Sequence, residues 1–271
     1  RVVSTNNSFT RCDADSIVFY RSQKVQHALP DVCCIMLEKK HKMRLVGEGA
    51  LDQGTIDAFT FAANNHYRIK EQKDVLGTQQ LKFEGRPWMV QSNEDKLRTA
   101  RMVCGVLEAM FKVGWEWHCA IFLYLKPSEK SSFFLRRGDS FRHAKVGCIQ
   151  LKGHHKIHLV VFPSQVRSRV ERALQSSEWT IPEIDVQADD EDLILDFLDQ
   201  GMFQAFRTDH KIRTISFVRR LLEEVLHDRE ASFLGTADMS SNTFKYDSDT
   251  PLRPQDTDVF FFAFGHDKGS S

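Results

Sequence analysis

The sequence holds none of the short motifs that announce a chemistry. Its 271 residues contain no G-x-G-x-x-G, no G-x-x-x-x-G-K-[ST], no H-E-x-x-H and no C-x-x-C. The phosphate cradles, helical zinc pairs and paired-cysteine sites that these spacings build are therefore not expected. Glycine and proline are scarce, at 14 and 7, which argues for regular packed elements over a loop-rich or disordered chain. No apolar run approaches the ~18 residues of a membrane-spanning helix. Neither sign of charge is in excess, with 37 basic and 37 acidic residues. That removes the basic surplus of a general polyanion binder and leaves only a local patch.

What is present is ordinary globular material rich in phenylalanine: 41% hydrophobic residues, 21 of them Phe, enough for a real core. Of the cysteines Cys12, Cys33, Cys34, Cys104, Cys119 and Cys148, five lie in apolar, regular-looking segments. There a free Cys behaves as a small buried hydrophobe, and disulfide frameworks belong to short secreted chains. Reduced thiols and an intracellular protein, cytoplasmic or nuclear, are expected; the sequon Asn6-Asn7-Ser8 is the one contrary sign. The start at Arg1 suits a fragment, and residues 266–271 read as a disordered tail.

The sequence also repeats itself. "CIMLEKKHKMRLVGEG" (34–49) sits over "CIQLKGHHKIHLVVFP" (148–163) without a gap, with seven of sixteen positions identical. "KLRTARMVCGVLE" (96–108) sits over "KIRTISFVRRLLE" (211–223), and "SIVFYR" (16–21) over "SSFFLR" (131–136), both at an offset of 115. "SSFFLRRG" (131–138) in turn resembles "DVFFFAFG" (258–265). A period of that length is a domain-sized duplication and not a solenoid of short repeats.

Periodicity predicts strands at 79–85, 115–126 and 132–137, and a hairpin of "KVGCIQL" and "KIHLVVF" about Gly153. It predicts helices at 95–113 and 164–174. The segment 190–201 carries acids at its start and reads as helix, after an acidic linker from Asp185 to Asp192. The expected fold is α+β: an internally duplicated unit of ~115 residues with antiparallel sheets and packed helices. Its domains are a first incomplete copy (1–66), a complete central copy (67–180) and a third incomplete copy (181–265).

Three histidines, His154, His155 and His158, invite a metal reading. Strand alternation puts His154 and His158 on one face about 13 Å apart, too far to share one zinc ion. The twin segment has Lys40 and Arg44 at those positions, so the retained property is a cationic face. His155, matching His41, is expected to turn inward. No cysteine sits in a nucleophile context, and Arg-Gly-Asp at 137–139 suits a turn. No catalytic residue, metal or cofactor is expected.

The one candidate binding set is a basic face of Lys40, Lys42, Arg44, His154, Lys156 and His158, with Arg136 and Arg137 nearby. The bland alternative is a set of solvated charges guarding sheet edges. The functional expectation is a non-enzymatic binding or assembly module that recognises a protein partner or ligand at the surface between copies. The alternatives are a binder of phosphorylated lipid or nucleic acid through the basic face, and an enzyme with a site between the copies.

Overall fold

Alternation sets the first sheet. Along β3 (Val32–Glu38), Cys33, Ile35 and Leu37 are buried on one side, and Cys34 and Met36 turn to the other. β4 (Lys42–Val46) follows in antiparallel register, Ile35 against Leu45 and Leu37 against Met43. β5 (Ile69–Val75), β6 (Thr78–Phe83), β7 (Trp115–Ile121) and β8 (Ser132–Arg137) complete the order β5-β6-β4-β3-β8-β7.

The second sheet comprises β9 (Lys145–Lys152), β10 (Lys156–Val160), β11 (Ile184–Asp189), β12 (Asp192–Phe197), β13 (Ala231–Asp238) and β14 (Asp258–Phe264). Its order is β11-β12-β10-β9-β14-β13. The helices are α1 (Gln53–Asn64), α2 (Asn93–Lys112), α3 (Ser164–Gln175) and α4 (218–226). A separate hairpin pairs β1 (Val2–Thr5) with β2 (Ser16–Phe19). The computed structural model describes residues 2–5, 16–19, 31–47, 49–89, 92–121, 130–139, 141–152, 156–175, 184–189, 192–197, 218–227, 231–239 and 258–265. The architecture is α+β with antiparallel sheets.

Both sheets are threaded along one path. In each, the first two strands are central, the next two add beyond the second, and the last two add beyond the first. A helix follows the second strand and another the fourth. The registers agree residue by residue. Cys34 lies between Val46 and Phe134, and Cys148 between Val160 and Phe261. Arg44 pairs with Gln80 where His158 pairs with Ile194. Even the bulges coincide, between Trp117 and Cys119 in β7 and between Phe233 and Gly235 in β13. The strands of one sheet come from 32–137 and those of the other from 145–264, called the first and second units below. The expected boundaries at 66/67 and 180/181 fall inside these two sheets.

Two expectations are corrected. The segment 190–201 contains strand β12 and not a helix. Leu193 and Leu195 are buried on one face and Asp192 on the other, a period of two that fits a sheet covered on both sides. The acidic stretch before it is edge strand β11 and not a linker. Sequence reading also passed over β5, whose "IKEQKDV" has no apolar alternation because it too is an edge.

α2 begins at Ser92, whose side chain accepts from the Asp95 amide at 3.1 Å. Glu94 and Asp95 sit at its positive end and Lys112 at its negative end. Its buried residues include Ala100, Met102, Val103, Cys104, Val106 and Met110. They cover more than one stripe, so the helix needs cover on more than one side. It packs on α1 and β7 and also on β9 and β10 of the second sheet. One apolar cluster accordingly runs through both units, from Ile35 and Phe133 to Val146, Cys148 and Phe261. Beyond α2 the sheets touch directly. Trp117 and Phe133 each hold their rings 5.7 Å from that of Phe261. A Cβ on Gly235 would stand 3.0 Å from the Trp117 indole, so glycine there eases the close approach of the two sheets. A second cluster joins the other face of the second sheet to α3 and α4, through Leu159, Leu195, Phe262, Val166 and Val225.

Because one core serves both units, Phe261→Ala destabilises the whole chain. The expected cost is about 3–5 kcal/mol, read as a lower urea midpoint in a single transition that Trp fluorescence and far-UV circular dichroism report alike.

Candidate functional site

The face of the first sheet turned away from α2 is built by Cys34 and Met36 of β3, Arg44 and Val46 of β4, Gln80 of β6, and Phe134 and Arg136 of β8. Their register partners in the second sheet are Cys148, Gln150, His158, Val160, Ile194, Phe261 and Ala263. There that face is covered by α2 and by the β7–β8 half of the first sheet. In the first sheet Met36, Val46 and Phe134 remain half-exposed, and Val32 is 44% exposed.

Charges on this face are answered by neighbouring strands. Arg44 Nε lies 2.8 Å from Glu38, and its Nη1 donates to Thr78 Oγ1 at 3.2 Å. Lys42 donates to Gln80 at 2.8 Å, and Arg136 reaches the nearly buried Glu116 at 2.9 Å. Arg137 belongs to the opposite face. It stacks 4.2 Å over Trp115, pairs with Asp52 at 2.8 Å and donates to the carbonyls of Val113 and Ala50. Asp52 meanwhile caps α1 through the Thr55 amide at 2.7 Å. Those hydrogen bonds from Thr55, then Arg137, hold its carboxyl below the usual carboxylate range. Lys40 is exposed in the β3–β4 turn.

Among the described residues of the candidate set, Lys42, Arg44 and Arg136 share this face, whereas Arg137 and His158 do not. His158, expected outward, is 0% exposed and lies beside Gln150 and Ile194 on the side covered by α2. The parity of the strand was read correctly, but the second sheet has no solvated face there. Lys156 pairs in β10 with Asp196 and Lys152, and its side chain lies outside the described residues, as do His154 and His155.

Sequence reading missed the polar contact that ties the units together. Arg101 of α2 forms an ion pair with Asp192 of β12, whose side chain is 1% exposed and also accepts from the Val161 amide at 2.9 Å. Asp192 was read as a helix-start acid, and nothing in a single sequence matches it to Arg101. Nearby, Cys104 and Cys148 meet inside the same layer. Burial first, then the Cys148 contact, pushes the Cys104 thiol well up.

Burial likewise raises Cys33 and Cys119, and takes Cys34 up to about 12 against the opposing Ser132 hydrogen bond. These are thiols, not thiolates, at neutral pH, and so poor nucleophiles. Among the described residues no three His, Cys, Asp or Glu side chains converge to hold a metal ion, and no helix is long and apolar enough to cross a membrane. An open groove of about 520 Å³ lies beside Tyr67, Glu84, Arg86 and Arg98. Its Arg98 donates to the His66 carbonyl at 2.6 Å and covers Tyr67.

A model of an uncharacterised domain family matches residues 31–136. That stretch is the first unit, from the start of β3 almost to the end of β8. No curated protein and no solved structure matches the chain.

Arg101→Met leaves Asp192 buried without its cation. The expected loss is about 3–5 kcal/mol, most of it recovered in Arg101→Met/Asp192→Leu, measured by urea unfolding. His66 is held below the ordinary 6.5 by burial, then by Arg101 and Arg98. Its contribution to stability is full above pH 6.5 and is lost as pH falls through the lower folded value. His66→Asn therefore flattens the decline of stability on acidification below that pH.

Proposed function

We propose that the protein is a non-enzymatic binding and assembly module. In this reading two units of common ancestry are stacked sheet on helix, and a protein partner docks on the outward face of the first sheet. The observation that carries this is the shared register. The face left outward in the first unit is the counterpart, position for position, of the face that makes the inter-unit contact in the second. It keeps Cys34, Val46 and Phe134 where the buried contact has Cys148, Val160 and Phe261. A half-exposed apolar centre rimmed by satisfied polar groups has the composition of a non-obligate protein interface.

The internal pairing of Arg44, Lys42 and Arg136 speaks against a polyanion ligand, which would have to compete with Glu38, Gln80 and Glu116 for those side chains. The raised thiols and the internally paired charges supply no nucleophile or general base, which favours binding over catalysis. Five buried free thiols suit a reducing, intracellular compartment.

In a chain lacking residues 1–21, whose β1 strand otherwise lies against β7, a photo-crosslinking residue placed at Met36 or Val46 is expected to give discrete protein adducts that persist when salt is raised. The same residue at Ser168 on α3 gives none. Adducts that disappear with salt would indicate an anionic partner. Equal labelling at all three positions would overturn the reading.

A further inference from the structure

The contact between the units has a socket and a knob. The socket is the aromatic pair Trp117 and Phe133; the knob is Phe261, with Gly235 giving clearance. The shared register assigns the aromatic groups their counterparts; that of Gly235 is Cys119, and the ring that would meet it, Phe233, is smaller than the Trp117 indole. Phe233 and Phe260 stand in the second unit where Trp117 and Phe133 stand in the first. Their rings are 6.4 Å apart, and Phe233 is 46% exposed. Phe134, flanked by Val32, stands in the first unit where Phe261, flanked by Val146, stands in the second. The molecule therefore carries a half-exposed socket at one end and a matching knob at the other.

We propose that this knob and socket bind one another between copies of the chain, stacking them head to tail with the geometry that joins the two units within one copy. The proposal rests on the reading above of the first sheet's outward face as a docking surface, and names a second copy as its occupant. Such a contact is heterologous, so it propagates instead of closing as a dimer.

The β1–β2 hairpin regulates it. "SIVFYR", which contains β2, aligns with "SSFFLR" of β8, so β1–β2 stands for the last hairpin of a unit. Its placement agrees. β1 lies against β7 as β7 lies against β13. The hairpin thus occupies the place that β13–β14 of a second copy would take, and it must leave for copies to stack. The helical half of the contact is weaker than its intramolecular model. α4 presents exposed Arg219 and Arg220 where α2 has Cys104 and Gly105, so the aromatic half carries the association.

The test compares the full chain with a variant lacking residues 1–21, by sedimentation velocity over a concentration series. The full chain is expected to remain monomeric, and the deletion to form species that lengthen with concentration. Phe233→Glu or Val32→Glu, both at exposed positions, returns the deletion to monomer. The deletion carrying Phe233→Glu has only its knob end, and the full chain has only its socket end, so mixing these two gives a one-to-one dimer. Should the deletion unfold by circular dichroism, Val3→Pro/Val18→Pro breaks the β1–β2 pairing in the intact chain and is read in the same way. A folded, monomeric deletion, or assembly indifferent to Phe233→Glu, overturns the proposal. In that case persistent adducts at Met36 and Val46 would leave the docking surface standing with a different occupant, and their absence would remove both.

Discussion

Everything in this protein depends on α2 having two sheets to bury against. A helix that turns Met102, Val103, Cys104 and Val106 all inward cannot be stable on the surface of a single unit. The first sheet and α1 cover part of it, and β9 and β10 cover the rest. Where α2 ends the sheets meet through Trp117, Phe133 and Phe261, which extends the apolar contact without a gap. The Arg101–Asp192 pair adds little net energy, since a buried ion pair roughly balances its own desolvation. It does penalise any other seating of α2 on β12, because each alternative strands a buried charge.

The same strand order carries opposite surfaces in the two sheets. Inside the stack, the face of the second sheet offers His158, Ile194 and Ala263. At the open end of the stack, the matching positions are Arg44, Gln80 and Arg136, two of them held by Glu38 and Glu116. The outer stripe of α4 has Arg219, itself paired to Glu223 at 2.8 Å, where α2 has Cys104. The aromatic positions were not changed in this way, which is why Phe233 and Phe134 draw attention as contact points.

Much of the fold was legible because similar segments recur in the sequence, so that several elements could be read twice. β8 was placed at its observed bounds, and α2 within two residues. The misreadings have physical causes. β5 and β11 are edge strands that bury little, so their charged sequences carry no alternation. β12 was read as helix because acids at its start resemble a helix cap, whereas Asp192 is turned inward to Arg101. His158 was assigned to solvent because strand parity says which side a residue faces, not whether that side is covered. The cover comes from α2, more than forty residues earlier in the sequence. The sequence shows a period, but only strand pairing shows which strands close into one sheet.

The central claim is that α2 is a shared element, folded only when both units are in place. Native-state hydrogen exchange, followed in low urea, tests it directly. The account predicts that the amides of α2 are among the most protected and that they open together with those of β9 and β14, at the free energy of global unfolding. Exchange of α2 with the first sheet alone, while β9 and β14 stay protected, would contradict it.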